Sequence, residues 1–168
     1  MRRPAALLLA LLLLCPAALG AEDAPATRGD FLIALWESDG GVPFDVTNPF
    51  TDVDYHDPWA VAVGWACGEG LVNGVGEGLF APTRPITREE AAVLLRRWAG
   101  VLGRPTFLPD GVAECNDYED ISPWADDSLY WACDAGLLDW SQGSRLDPLG
   151  SMTREEVALV LHRFAREQ

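Results

Sequence analysis

The stretch Ile86-Thr87-Arg88-Glu89-Glu90 returns as Met152-Thr153-Arg154-Glu155-Glu156 and, more loosely, as Ala26-Thr27-Arg28-Gly29-Asp30. Each copy stands just ahead of an apolar run. Thr followed three residues later by Glu or Asp is a capping box, in which the hydroxyl takes the third N–H and the acid reaches back to the first. Helix-end physics therefore accounts for the threonine and the last acid. The second acid, Glu89 or Glu155, also suits the positive helix end. The arginine remains unexplained, because a cation in the first turn opposes the helix dipole by a few tenths to about 1 kcal/mol. Two readings stay open from spacing alone. The arginine is an ion-pair partner for a nearby carboxylate, or it joins backbone N–H groups in holding an anionic ligand.

The repetition extends beyond the motif. Residues 65–100 lie on 131–166 without a gap, with 14 of 36 positions identical. Trp65-Ala66-Cys67 meets Trp131-Ala132-Cys133, Gly70-Leu71 meets Gly136-Leu137, and Pro82 meets Pro148. A partial copy lies upstream, where Thr27-Arg28 meets Thr87-Arg88 and Leu35 meets Leu95. Such a period marks a repeat architecture.

Each full unit reads as helix, loop, helix. Asp57-Pro58-Trp59 and Ser122-Pro123-Trp124 read as starts of the first helix, with Asp or Ser as N-cap and Pro next. Trp59, Ala62, Val63 and Ala66 follow helical spacing, and Gly70 and Gly136 end these helices. The loop 73–85, NGVGEGLFAPTRP, is rich in turn formers. The second helix carries a stripe of Ala91, Leu94, Leu95 and Trp98, or Val157, Val160, Leu161 and Phe164; Phe31, Ala34 and Leu35 mark it in the partial copy. Val93 and Leu159 widen it. No segment alternates like a strand. The expected fold is mainly α, with repeated helix-loop-helix units and three helices bundled about a pseudo-threefold axis.

Arg2-Arg3, an apolar run over Ala5–Leu14 and small residues at Ala18 and Gly20 predict a secretory signal over 1–20. The run is too short to span a bilayer. Lipidation at Cys15 is disfavoured by Leu14 before it and Pro16 after it. The expected organisation is signal 1–20, a partial repeat over 21–45, a full repeat over 46–103 and a divergent one over 104–168. Formal charge is −14, falling to −16 once Arg2 and Arg3 leave, and there is no lysine. Nucleic acid and acidic membrane surfaces are thereby poor partners, and an anionic ligand needs a local arginine site. Cys67, Cys115 and Cys133 are odd in number. Cys67 and Cys133 suit helix packing, and a Cys115–Cys133 bridge is an open alternative.

The segment 50–100 resembles a surface-layer homology (SLH) repeat. The resemblance rests on Phe50-Thr51-Asp52-Val53, Trp59-Ala60, Gly70-Leu71-Val72-Asn73-Gly74, Phe80-Ala81-Pro82 and Ile86 to Glu90, which agree in order with the family pattern. Residues 118–165 form a weaker copy and 26–40 a fragment. The resemblance implies a three-repeat, three-lobed helical domain that attaches exported proteins to the bacterial cell wall or surface. It implies as partner a secondary cell-wall polysaccharide with acidic, pyruvylated sugars, contacted in grooves between repeats by the arginine of the Thr-Arg-x-Glu motif. That role falls on Arg88, Arg154 and Arg28. Gly74 and Gly76 are expected to let backbone approach the sugar, and the groove joining Arg88 to the Gly74–Gly78 loop is the favoured site. The last copy departs from the pattern, with Trp140 where Gly74 stands.

Trp59 and Trp124 are candidates for stacking on sugar, with core packing as the alternative; Trp59 is carried as a site residue. Asp52, Asp54 and Asp57 lack the glycine and distal Glu of a calcium loop. His56 and His162 show no metal spacing. No cofactor, metal or catalytic set is expected, and Gly74-x-Gly76-x-Gly78 is no nucleotide loop. The expected function is a non-catalytic envelope anchor. The alternatives are a protein scaffold, paired with another envelope protein or a second copy, and an accessory to a cell-wall enzyme.

Overall fold

The computed structural model describes residues 24–42, 47–109, 115–140 and 143–166. The expected signal over 1–20 lies outside them. Among the described residues there are five α-helices and no β-strand: α1 (Arg28–Ser38), α2 (Ala60–Gly68), α3 (Arg88–Val101), α4 (Asp126–Asp134) and α5 (Arg154–Arg166). The expected mainly α fold is what forms.

Capping begins the long helices where the motif predicts. Thr27 and Asp30 close a box at α1, and Thr87 and Glu90 close one at α3. At α5 the Thr153 amide donates to Glu156 at 2.7 Å, and the Glu156 amide to Thr153 Oγ1 at 3.1 Å. Gly70 and Gly136 end α2 and α4 with φ of 72° and 68°, a conformation glycine adopts without strain.

The short helices start later than expected. Asp57 does not cap α2; Trp59 is the N-cap residue, with no side-chain bond, and α4 likewise starts after Ala125 rather than Ser122. A turn intervenes in each unit. The Ala60 amide donates to the Asp57 carbonyl, and the Ala125 amide to the Ser122 carbonyl. Asp57 instead accepts from the Asp54 amide at 2.8 Å, and Asp54 from the His56 amide at 3.0 Å. These acids are satisfied locally, as Asx turns are.

Three backbone bonds close the bundle. The Ala26 amide donates to the Met152 carbonyl, Met152 to Ile86, and Ile86 back to Ala26, at 2.8, 3.0 and 3.0 Å. Each residue precedes a Thr-Arg motif, and all three are essentially fully buried. The ring marks a pseudo-threefold axis through the starts of α1, α3 and α5. α2 packs on α1, α4 on α3, and α1 on α5.

The stripe residues Phe31, Leu35, Ala91, Leu95, Trp98, Val157, Val160 and Phe164 form one core. Val93 joins it, but Leu159 is 44% exposed. Leu159 was expected to widen the stripe; α5 turns this position outward. Cys67, Cys115 and Cys133 are free thiols, so the Cys115–Cys133 bridge is not formed. The Cys115 sulfur instead meets the Tyr130 hydroxyl at 3.3 Å, and burial pushes the Cys133 thiol up to about 11.

Candidate functional site

Two of the three Thr-Arg arginines reach sideways into the loop of the next unit. Arg28 Nε donates to the Phe80 carbonyl at 2.9 Å, and Arg88 Nε donates to the Leu146 carbonyl at 2.8 Å. Phe80 and Leu146 are equivalent in the repeat. Their loops are braced alike: Asp52 accepts from the Phe80 and Ala81 amides, and Asp117 from the Leu146 and Asp147 amides, at 2.7–2.9 Å. The acid of the Phe-x-Asp-Val element is thus a loop brace, and Asp117 is its counterpart in the last unit. A one-residue change of register there hides it from an ungapped comparison.

The sideways reach changes which arginine meets the glycine loop. A groove of about 530 Å³ brings Arg28 together with Val72, Asn73, Gly74 and Val75, and Arg84, Arg97, Glu89, Glu90 and Trp124 also line it. Arg88 does not join the Gly74 loop. Its Nη2 donates to the Asp139 carbonyl at 2.7 Å, in the loop that carries Trp140. The favoured pairing of Arg88 with Gly74 is therefore replaced by Arg28 with Gly74, because the first two motifs each serve the following unit.

Arg28 is 6% exposed and lies over the Phe80 ring at 4.7 Å. Burial lowers its pKa, opposed by Glu90, whose Oε1 accepts from Arg28 Nη1 at 2.9 Å. The same Oε1 accepts from Arg84 Nη2. Arg97 Nη1 donates to the Leu71 carbonyl at 2.7 Å. A guanidinium carries five N–H donors, so these bonds aim the three cations without exhausting them.

Gly74 has φ of 73°, and a Cβ there would meet the Leu79 carbonyl and the Phe50 ring. Its first role is close packing of the loop that walls the groove. Gly76 has φ of 108° and open space around it, and it is not part of the groove wall.

The other two motif sites differ. In the second, Arg163, equivalent to Arg97, is tied to the Asp139 carboxylate at 2.8 Å. In the third, Arg154 is 55% exposed at its side chain and touches Asp30 at 3.4 Å. A smaller groove of about 270 Å³ there holds Arg154, Asp30, Ile33, Ala34 and Glu37. By the repeat register Asp30, Ile33, Ala34 and Glu37 match Glu90, Val93, Leu94 and Arg97. Glu37 stands where the large groove has Arg97. The large groove carries three arginines against two glutamates, and the small one a single arginine against two acids.

Trp59 is not in the large groove. Its ring lies against Gly29 of α1, and its Nε1 is buried without a partner. Trp124, its counterpart, is 59% exposed and lines the groove. Sequence reasoning passed over Arg84 and Arg97. Arg97 was findable, since it recurs as Arg163 and is replaced by Glu37.

Residues 49–92 match the S-layer homology domain family. The chain carries an S-layer homology domain. Its relatives include an endoglucanase of Bacillus sp. (strain KSM-635), 32% identical over 80% of this chain and 14% of that protein. A cell surface protein of Thermoanaerobacter kivui is 30% identical over 68% of this chain and 15% of its own length. A surface-layer 125 kDa protein of Lysinibacillus sphaericus is 29% identical over 76% and 10%. The chain thus spans only about a seventh of the first two. The domain and these relatives support a module of the cell envelope at the cell surface or outside the cell. Among the described residues no helix is long and apolar enough to cross a membrane.

Proposed function

We propose that the protein is a non-catalytic envelope anchor that holds acidic cell-wall polysaccharide in the groove between α3 and the loop at Gly74, which Arg28 of α1 enters. The observation carrying this reading is the convergence of Arg28, Arg84 and Arg97 on one groove of about 530 Å³ in a chain of net charge −14. A local cationic site is what such a chain needs to hold a carboxylated sugar against its own field. Arginine suits the task, since its planar fork matches a carboxylate. The loop at Gly74 supplies the wall, and Trp124 offers a ring face for a sugar.

Arg88 and Arg154 take lesser parts in this reading. Arg88 is absorbed in bracing the last unit's loop, and Arg154 sits beside Asp30 and Glu37. The units are assigned as 21–45, 46–103 and 104–168, behind a signal over 1–20. The endoglucanase carries most of its length outside the matched region, so this chain is assigned the anchoring part alone.

Co-sedimentation of the mature protein with wall sacculi of its source bacterium tests the reading. Binding should vanish when acid stripping removes the attached polymers, and Arg84→Ala should weaken it with the fold intact. Absence of binding to intact walls sinks the proposal.

A further inference from the structure

The residue after the motif arginine differs between the first two units, and so does the placing of the next unit's tryptophan. In α1 that residue is Gly29. The Trp59 ring packs directly against it, and a Cβ on Gly29 would stand 3.1 Å from the ring and 3.0 Å from the Pro82 carbonyl. In α3 the equivalent residue is Glu89, only 3% exposed. Its carboxylate accepts from the Ser122 amide at 3.0 Å and from the Ser122 hydroxyl at 2.9 Å. Ser122 lies two residues before Trp124, which corresponds to Trp59 and is 59% exposed at the groove. The same local sequence, Asp-Pro-Trp or Ser-Pro-Trp, thus gives a ring packed on the helix in one unit and a ring turned to the groove in the other.

Two effects of Glu89 account for the difference. Its side chain occupies the space that a packed ring needs, as the Gly29 geometry shows. Its two bonds to Ser122 fix the backbone from which Trp124 projects. Buried polar groups hold their partners firmly because leaving them unpaired is costly.

We infer that Glu89 is the positioning residue that keeps Trp124 out of the core and holds its ring as the sugar-stacking wall of the Arg28 groove. The inference rests on the groove reading above for its ligand, but not for its geometry. Glu89 acts through Ser122, and Trp124 makes the contact.

Glu89→Gly recreates the α1 arrangement, and α1 itself shows that a helix of this fold accepts glycine there. The indole N–H resonance of Trp124 is identified by its loss in Trp124→Phe. In the wild type a soluble nitroxide should broaden it strongly. In Glu89→Gly it should be shielded, with far-ultraviolet circular dichroism unchanged, and in Glu89→Gln it should stay exposed, because the amide oxygen still accepts from Ser122. Wall binding by Glu89→Gly should fall about threefold to tenfold, taking the contact of a sugar with the indole face as comparable to an aromatic pair. A folded Glu89→Gly whose Trp124 resonance stays as broadened as in the wild type overturns the inference. Should Glu89→Gly fail to fold, Glu89→Ala removes both bonds to Ser122, and a Trp124 resonance unchanged in position and broadening there overturns the inference equally. If the resonance moves while the wild type binds no wall, the groove reading falls and the positioning stands.

Discussion

Ile86 donates its backbone N–H to the Ala26 carbonyl at 3.0 Å and accepts from the Met152 amide at the same distance, at the centre of three helix starts. Met152 is 0% exposed and completes the ring. Units far apart in sequence are therefore joined at one point, so damage there should be felt by the whole molecule.

Met152→Ala should lower unfolding free energy by about 2–5 kcal/mol, the range for removing a buried side chain of this size. Urea unfolding followed by circular dichroism should still show one transition, moved to lower urea. A separate early transition confined to α5 would mean that the ring does not couple the units.

The three motif arginines should differ in their worth to stability. Arg28 is a buried partner of Glu90, and removing one member of such a pair costs about 3–5 kcal/mol. Arg88 donates to two backbone carbonyls, worth about 1–3 kcal/mol. Arg154 is largely exposed, and its contact with Asp30 is worth at most about 1 kcal/mol. Alanine variants measured side by side should rank in that order. Equal losses at Arg28 and Arg154 would contradict the distinct environments.

Gly74 and Gly78 share the left-handed conformation, with φ of 73° and 72°. Only Gly74 is crowded, since a Cβ would come within 2.5 Å of the Leu79 carbonyl. Gly78→Ala should cost about 1–2 kcal/mol, the price of left-handed backbone alone. Gly74→Ala should cost more, because the loop must also shift, and it should weaken wall binding. Thermal unfolding of the two variants tests the difference.

The caps, the repeat and the helical stripes were legible because they are local: Thr87 and Glu90, or Gly70, act within a few residues of themselves. The placing of Arg28 rather than Arg88 at Gly74 was not. It depends on the handedness with which unit follows unit around the axis, and no periodicity encodes that. The opposite fates of Trp59 and Trp124 were hidden for a related reason. They are decided by Gly29 and Glu89, which are distant in sequence and read locally only as helix-start residues. Asp52 read only as a motif letter, because its partners, the Phe80 and Ala81 amides, lie across the loop.

Asp117 makes the last unit sensitive to acid. Burial raises its pKa, but its bonds from the Leu146 and Asp147 amides and the Cys115 thiol outweigh this and hold the carboxyl below its ordinary value of 3.8. A group whose folded pKa is depressed contributes stability that is full above its unfolded value and is lost as pH falls through the folded one. The contribution should therefore be complete above about pH 5 and fade below the ordinary carboxyl range. Asp117→Asn cannot titrate and turns an N–H toward one of the two amides, so at pH 7 it should cost about 1–3 kcal/mol. As pH falls through the ordinary carboxyl range the wild type loses this contribution while Asp117→Asn does not, so the gap should narrow. Urea midpoints of both proteins at pH 7 and at about pH 2.5 decide the matter: a gap that is as wide in acid as at neutrality would show that the charge of Asp117 does not hold the loop.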